Sequence, residues 1–169
     1  MEQQFVFDGF GPVIEGDIGE WRRQNPNALV ACVRNRRDIG DDDFVHFRGL
    51  HALDMSCCNQ VTISDAAFVH LRGIHTLDMD GCDQVTITDA AFVHLRGIHS
   101  LSMAYCTQVT ITDAAFVNLR GIHTLNMTGC GQVTITDAAF VNLRGIARLR
   151  TEDCSPAVRA AAEALLALQ

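Results

Sequence analysis

The chain has 169 residues and a formal charge of −7; 48% of its residues are apolar and 20% charged, a globular balance that argues against disorder. All 13 cations are arginines, which excludes Schiff-base lysine chemistry and the P-loop lysine. Such an acidic chain is a poor polyanion binder, and no apolar run approaches the roughly 20 residues of a membrane helix, so neither nucleic acid nor membrane is expected as a partner.

The opening Met1-Glu2-Gln3-Gln4 lacks the basic start of a secretory signal, so an intracellular protein is expected. Phe5, Phe7, Phe10, Val13, Ile14, Ile18 and Trp21 then supply apolar groups without a repeat. They predict an N-terminal cap over residues 1–26, with a short helix near Asp17 to Arg23 that Asn25-Pro26 ends.

A period of 24 residues follows. Four units begin at His51, His75, His99 and His123, and the third matches the second at 18 of 24 positions. A degenerate unit, Asn27 to Leu50, precedes them with Leu29, Phe44 and Gly49 in register; a truncated one starts at Ala147 and keeps Leu149 and Cys154. Within a unit, Leu77 and Met79 alternate with Thr76, Asp78 and Asp80, the period of a strand with one buried face. Thr88-Asp89 then caps a short helix carrying Phe92 and Leu95 inward, and Gly97 ends it. The predicted core of a coil is Ile74, Leu77, Met79, Cys82, Val85, Ile87, Phe92 and Leu95. Beyond the repeats, Ser155-Pro156 starts a C-terminal helix with Val158, Ala162, Leu165 and Leu166 on one face, a second cap over residues 155–169.

One strand and one helix per unit, always in the same direction, predict an α/β solenoid. Parallel strands stack about 4.8 Å apart on a concave face, with short helices on the convex side. The whole chain reads as a single domain with about six coils over residues 27–154. The spacing Ile74-x-x-Leu77-x-Met79-x-x-Cys82 resembles the leucine-rich repeat signature, and Ile87-Thr88-Asp89 resembles the I-T-D of its cysteine-containing subclass, common in F-box substrate receptors. Here the units are shorter than that subclass's and Met replaces the second strand leucine. Residues 1–26 are too short for an F-box, so the resemblance implies a horseshoe scaffold for protein binding, not a ubiquitin-ligase role.

Most repeated polar residues read as structural. Cys58, Cys82, Cys106, Cys130 and Cys154 form a buried ladder of free thiols, which fits a reducing, cytoplasmic setting; Cys57 is the exposed one. His51, His75, His99 and His123 stack at the strand entrance without the convergence zinc prefers, so no metal is expected, nor any other cofactor. His46, His70 and His94, replaced by Asn118 and Asn142, read as solvated; Asp65, Asp89, Asp113 and Asp137 and the arginines Arg72, Arg96, Arg120 and Arg144 complement helix dipoles. No nucleophile–base pairing stands out, so no enzyme is expected.

The units differ chiefly at alternate strand positions and in the adjoining turn, while the helical half is nearly frozen. The expected function is therefore a non-enzymatic receptor or adaptor that binds a protein with a basic patch on the sheet face. The expected patch is Asp54, Asp78, Asp80, Asp83, Ser102, Tyr105 and Asn126, closed by Arg148 and Arg150. Asp54 and Asp78 on adjacent strands repel if exposed, which a cationic partner would relieve. The alternative is a self-assembling repeat protein; as a receptor, the chain is expected to be a monomer or weakly self-associating.

Overall fold

The computed structural model describes residues 9–168; Phe5 and Phe7 of the predicted cap lie outside them. Helix α1 (Ile18–Gln24) is followed by strand β1 (Val30–Cys32) and a 3₁₀ helix (Asp41–Phe47). Four strands follow, β2 (Ala52–Asp54), β3 (Thr76–Asp78), β4 (Ser100–Ser102) and β5 (Thr124–Asn126). After β2, β3 and β4 come the one-turn helices α2 (Asp65–Phe68), α3 (Asp89–Phe92) and α4 (Asp113–Phe116), each running on into one 3₁₀ turn. After β5 the equivalent segment is 3₁₀ throughout (Asp137–Asn142), and β6 (Arg148–Arg150) and α5 (Pro156–Leu166) complete the chain. The six strands form one parallel sheet in sequence order, with equivalent residues of the repeats side by side. The fold is an α/β leucine-rich repeat solenoid.

Each short helix exists because both of its ends are specified. The Ser64, Thr88, Thr112 and Thr136 side chains accept the N–H groups of Ala66, Ala90, Ala114 and Ala138 at 3.1–3.2 Å. Gly73, Gly97 and Gly121 close the turn at φ 81–82°, where other residues are strained. Such a helix is too short to persist alone, so Phe68, Phe92 and Phe116 are fully buried beneath it. One hydrophobic core runs from Ile14 to Leu165.

Three expected core positions differ from the sequence reading. Val85 is 61% exposed; the inward seat in its turn belongs to Gln84, whose amide donates to the Cys58 carbonyl at 3.1 Å. Leu29 is not in register: Ala31 pairs with Leu53, and Leu29 faces solvent. The β1–β2 offset is 22 residues because the loop between β1 and the Ile39 seat is two residues shorter than in later coils, so a gapless alignment places this strand wrongly. Leu166 is exposed, while Val158, Ala162 and Leu165 are buried as expected.

The helical side is tied coil to coil. Each carboxylate of Asp41, Asp65, Asp89 and Asp113 accepts both the N–H and the hydroxyl of the next coil's Ser64, Thr88, Thr112 or Thr136 at 2.6–2.7 Å. The Nε–H groups of Arg48, Arg72, Arg96 and Arg120 donate to His70, His94, Asn118 and Asn142 in the following coil at 2.9–3.1 Å. These histidines and asparagines are therefore not solvated spacers; Asn118 and Asn142 are buried. They and the aspartates are acceptors that lock adjacent coils, which accounts for the invariance of the helical half.

Acid should weaken the His94 lock. Desolvation first, then the neighbouring Arg72 guanidinium, holds the His94 imidazole below its usual range. A base with a lowered folded pKa contributes stability above its unfolded value of about 6.5, lost as pH falls through the folded one. His94→Asn copies Asn118 and keeps the Arg72 bond, so it should melt at nearly the same temperature near pH 7.5 and lose less stability at about pH 5.5. Equal acid sensitivity of the two proteins in urea melts would place the titrating group elsewhere.

Candidate functional site

Three rows of side chains cross the sheet face. The middle row is Cys32, Asp54, Asp78, Ser102, Asn126 and Arg150; the row beyond it is Arg34, Ser56, Asp80, Ala104, Thr128 and Glu152. The middle row was expected to be exposed and is not: Asp54 and Ser102 are fully buried and Asp78 is 7% exposed. Equal positions sit one strand spacing apart, about 4.8 Å, so each polar side chain shields its neighbours while the turn folds over them.

The expected repulsion between Asp54 and Asp78 is answered within the chain. Arg34 donates to Asp54 Oδ2 from Nε at 2.9 Å and Nη2 at 2.6 Å, and Ser56 donates its N–H and hydroxyl to Oδ1 at 2.9 and 2.6 Å. Asp54 is thus paired and hydrogen-bonded, as a buried charge must be. Asp78 receives the Asp80 N–H at 3.0 Å. Burial first, then the Asp80 charge, pushes the Asp78 carboxyl up to about 7, and burial also raises Asp80. Further along, the Ser102 hydroxyl donates to Asp80 Oδ1, the Asn126 amide to the Ser102 oxygen (3.0 Å), and the Thr128 hydroxyl to Asn126 Oδ1 (2.7 Å) and Glu152 (3.1 Å). Arg150 stands 4.0 Å from Glu152, and both Arg148 and Arg150 have further partners.

Of the expected patch, the structure leaves Asp83, Tyr105 and Arg148 exposed and Asp80, Asn126 and Arg150 half-covered. Asp54, Asp78 and Ser102 lie beneath as a supporting layer. Arg34, Ser56, Thr128 and Glu152 join the same network and were missing from the sequence-based patch. Arg34 becomes visible as Asp54's partner only once β1 is aligned at its shorter offset.

Besides the glycine that ends each helix, every coil has a second left-handed position in the turn after its strand, and Tyr105 occupies it. Gly81 and Gly129 fill it at φ 66° and 70°, whereas Asn35, Cys57, Tyr105 and Asp153 adopt 58–62°, Tyr105 being the largest side chain to do so. The conformation is held because the residue's N–H donates to the next coil: Cys57 to Asp80, Gly81 to Ala104, Tyr105 to Thr128 and Gly129 to Glu152, at 2.6–2.8 Å. A non-glycine residue there costs about 1–2 kcal/mol. The Tyr105 ring lies over Gly129, where a Cβ would collide with it, and stays 58% exposed.

The other ladders offer structure and little chemistry. The imidazoles of His51, His75, His99 and His123 stack with centroids 4.3–4.6 Å apart. Desolvation, then the charges of His51 and His99, lowers the His75 pKa. Among the described residues no three His, Cys, Asp or Glu side chains converge as a metal needs. The Cys58, Cys82, Cys106, Cys130 and Cys154 thiols donate to backbone carbonyls of the preceding coil at 2.9–3.1 Å. Burial pushes Cys58 and Cys130 up to about 12, so neither is a thiolate nucleophile at neutral pH. Cys57 is exposed, as expected. No described helix is long and apolar enough to cross a membrane.

Solved structures resemble this architecture. A chain of the TLR13–ssRNA13 complex superposes with TM-score 0.57 and 23% identity over 69% of this chain and 16% of its own. A chain of the yeast Rad7–Elc1 complex does so with TM-score 0.56 and 18% identity over 79% of this chain and 38% of its own. The protein thus spans under two fifths of either neighbour, and the likeness is one of fold. No protein-family model and no curated protein matches the sequence.

Proposed function

We propose that this solenoid is a non-enzymatic receptor or adaptor that binds a protein partner at the rim where the sheet face meets the turns. The contact residues are Asp80, Asp83, Tyr105 and Asn126, flanked at the far end by Arg148 and Arg150. The observation that carries this reading is Tyr105: a strained left-handed backbone supports a large ring that remains mostly in solvent. Neighbouring coils use glycine there, so the fold does not require the ring. A rigid amphipathic aromatic suits the centre of an interface. With Asp54 already paired to Arg34, attraction for a basic patch falls to Asp80 and Asp83 at the rim. The cysteine ladder supports a place in the cysteine-containing repeat subclass, and its free thiols support a reducing, cytoplasmic setting.

The test is affinity capture from native extract with wild type, Tyr105→Gly and Asp83→Arg. Tyr105→Gly relieves the backbone and should be more stable by about 1 kcal/mol, raising Tm by about 2–4 °C. It should nevertheless lose the partners that wild type captures, and Asp83→Arg should capture them poorly. Undiminished capture by both folded variants would refute the rim as the site.

A further inference from the structure

The helical side carries a second surface, independent of the rim. Each helix runs in the same direction from an aspartate to an arginine, with an exposed valine between: Asp65, Val69 and Arg72; Asp89, Val93 and Arg96; Asp113, Val117 and Arg120. Stacking the coils turns these into three parallel stripes, one acidic, one apolar and one basic. Val69, Val93, Val117 and Val141 are 41–62% exposed, although their neighbours in sequence are buried phenylalanines. They make no inter-coil hydrogen bond that would account for their invariance. Among the described residues, the ion pairs are Arg34–Asp54, Arg36–Asp38 and Arg150–Glu152, so the aspartates and arginines of the two stripes, though hydrogen-bonded to neutral groups of the next coil, have no opposite charge beside them.

We infer that this striped face is the interface of a symmetric dimer, and that its occupant is a second copy of the chain. Charge complementarity selects both occupant and orientation. A copy turned about a two-fold axis lying along the valine stripe sets valine on valine, its aspartates over these arginines and its arginines over these aspartates. Every rung matches because both copies have the same repeat spacing. Turning the copy about an axis across the stripes instead sets aspartate on aspartate and arginine on arginine. The dimer is therefore parallel: N-terminal end beside N-terminal end, with Val93 meeting Val93 of the second copy. Tyr105 and the sheet face remain open in both copies.

Sedimentation equilibrium of the purified chain tests the contact. Wild type should shift from monomer to dimer as concentration rises to about 100 μM, a range that captures micromolar affinities. Val93→Asp with Val117→Asp should raise the dissociation constant at least about 100-fold without loss of helical circular dichroism, because both side chains are already solvent-accessible. Arg144→Glu, which turns an exposed end of the basic stripe toward the Asp137 stripe of the other copy, should weaken it about tenfold. Orientation is read by cross-linking in a Cys57→Gly background. Val69→Cys alone and Val117→Cys alone should each form disulfide dimers, since each residue meets itself. A wild type that stays monomeric, or a double valine variant that still dimerises, would overturn the interface. Cross-linking seen only when the two cysteine variants are mixed would overturn the parallel arrangement.

Discussion

Removing residues 156–169 should destabilise the protein by about 5 kcal/mol and drive it to aggregate. The estimate follows from what α5 covers. Val158, Ala162 and Leu165 are each at most 8% exposed and pack into the core cluster beside Phe140, Leu143 and Ile146 of the last coil. Without the helix those side chains meet water with no further coil to bury them, a state a solenoid end does not tolerate. The Ser155 cap, whose hydroxyl accepts the Val158 N–H at 3.3 Å, loses its purpose at the same time. A loss of this size consumes much of the 5–15 kcal/mol typical of a whole domain. Size-exclusion chromatography and thermal melting of the truncated chain measure it, alongside a full-length Leu165→Asp variant that keeps the helix but ruins its inner face. A monodisperse truncation with unchanged melting would show that α5 does not close the core.

Replacing Asp78 by Asn should stabilise the protein at neutral and higher pH by about 2 kcal/mol. The shift of the Asp78 carboxyl from 3.8 up to about 7 sets a ceiling of about 4 kcal/mol for keeping this buried group ionised. An acid whose folded pKa is raised takes up protons more readily when folded. Its unfavourable contribution is therefore absent below about 4, grows as pH rises toward 7, and is complete above it. The asparagine has a precedent two coils on: Asn126 accepts the Thr128 N–H at 3.2 Å much as Asp78 accepts that of Asp80. Chemical denaturation at about pH 4.5 and pH 8 should show the variant nearly equal to wild type at the lower value and more stable at the higher. A variant equally or less stable at the higher pH would mean that the Asp78 charge is already compensated. The His94 effect has the opposite sign with pH, so the difference between variant and wild type is the quantity to read.

Much of this architecture is legible in the sequence because the chain states it several times over. The 24-residue period, the strand alternation and the Ser-Asp or Thr-Asp helix starts each reappear in four successive units, so the strand-and-helix coil, the parallel stack and the cysteine ladder follow from residues 51–146 directly. Where repetition weakens, so does the reading. β1 was misplaced because its coil is two residues shorter, and that error concealed Arg34 as the partner of Asp54.

What tertiary structure alone decided is depth. Alternation tells which side of a strand a residue takes, and Asp54, Asp78 and Ser102 do lie off the leucine side. It does not tell whether neighbours one strand spacing away will cover them, and here they do, because every coil places a side chain at the same height. The same principle reverses the expectations for Val85, displaced outward by Gln84, and for His94, drawn under Arg72 of the preceding coil. Repeat sequence specifies each rung from local propensities; burial, pairing and protonation depend on the rungs above and below, which only stacking brings within a few ångströms.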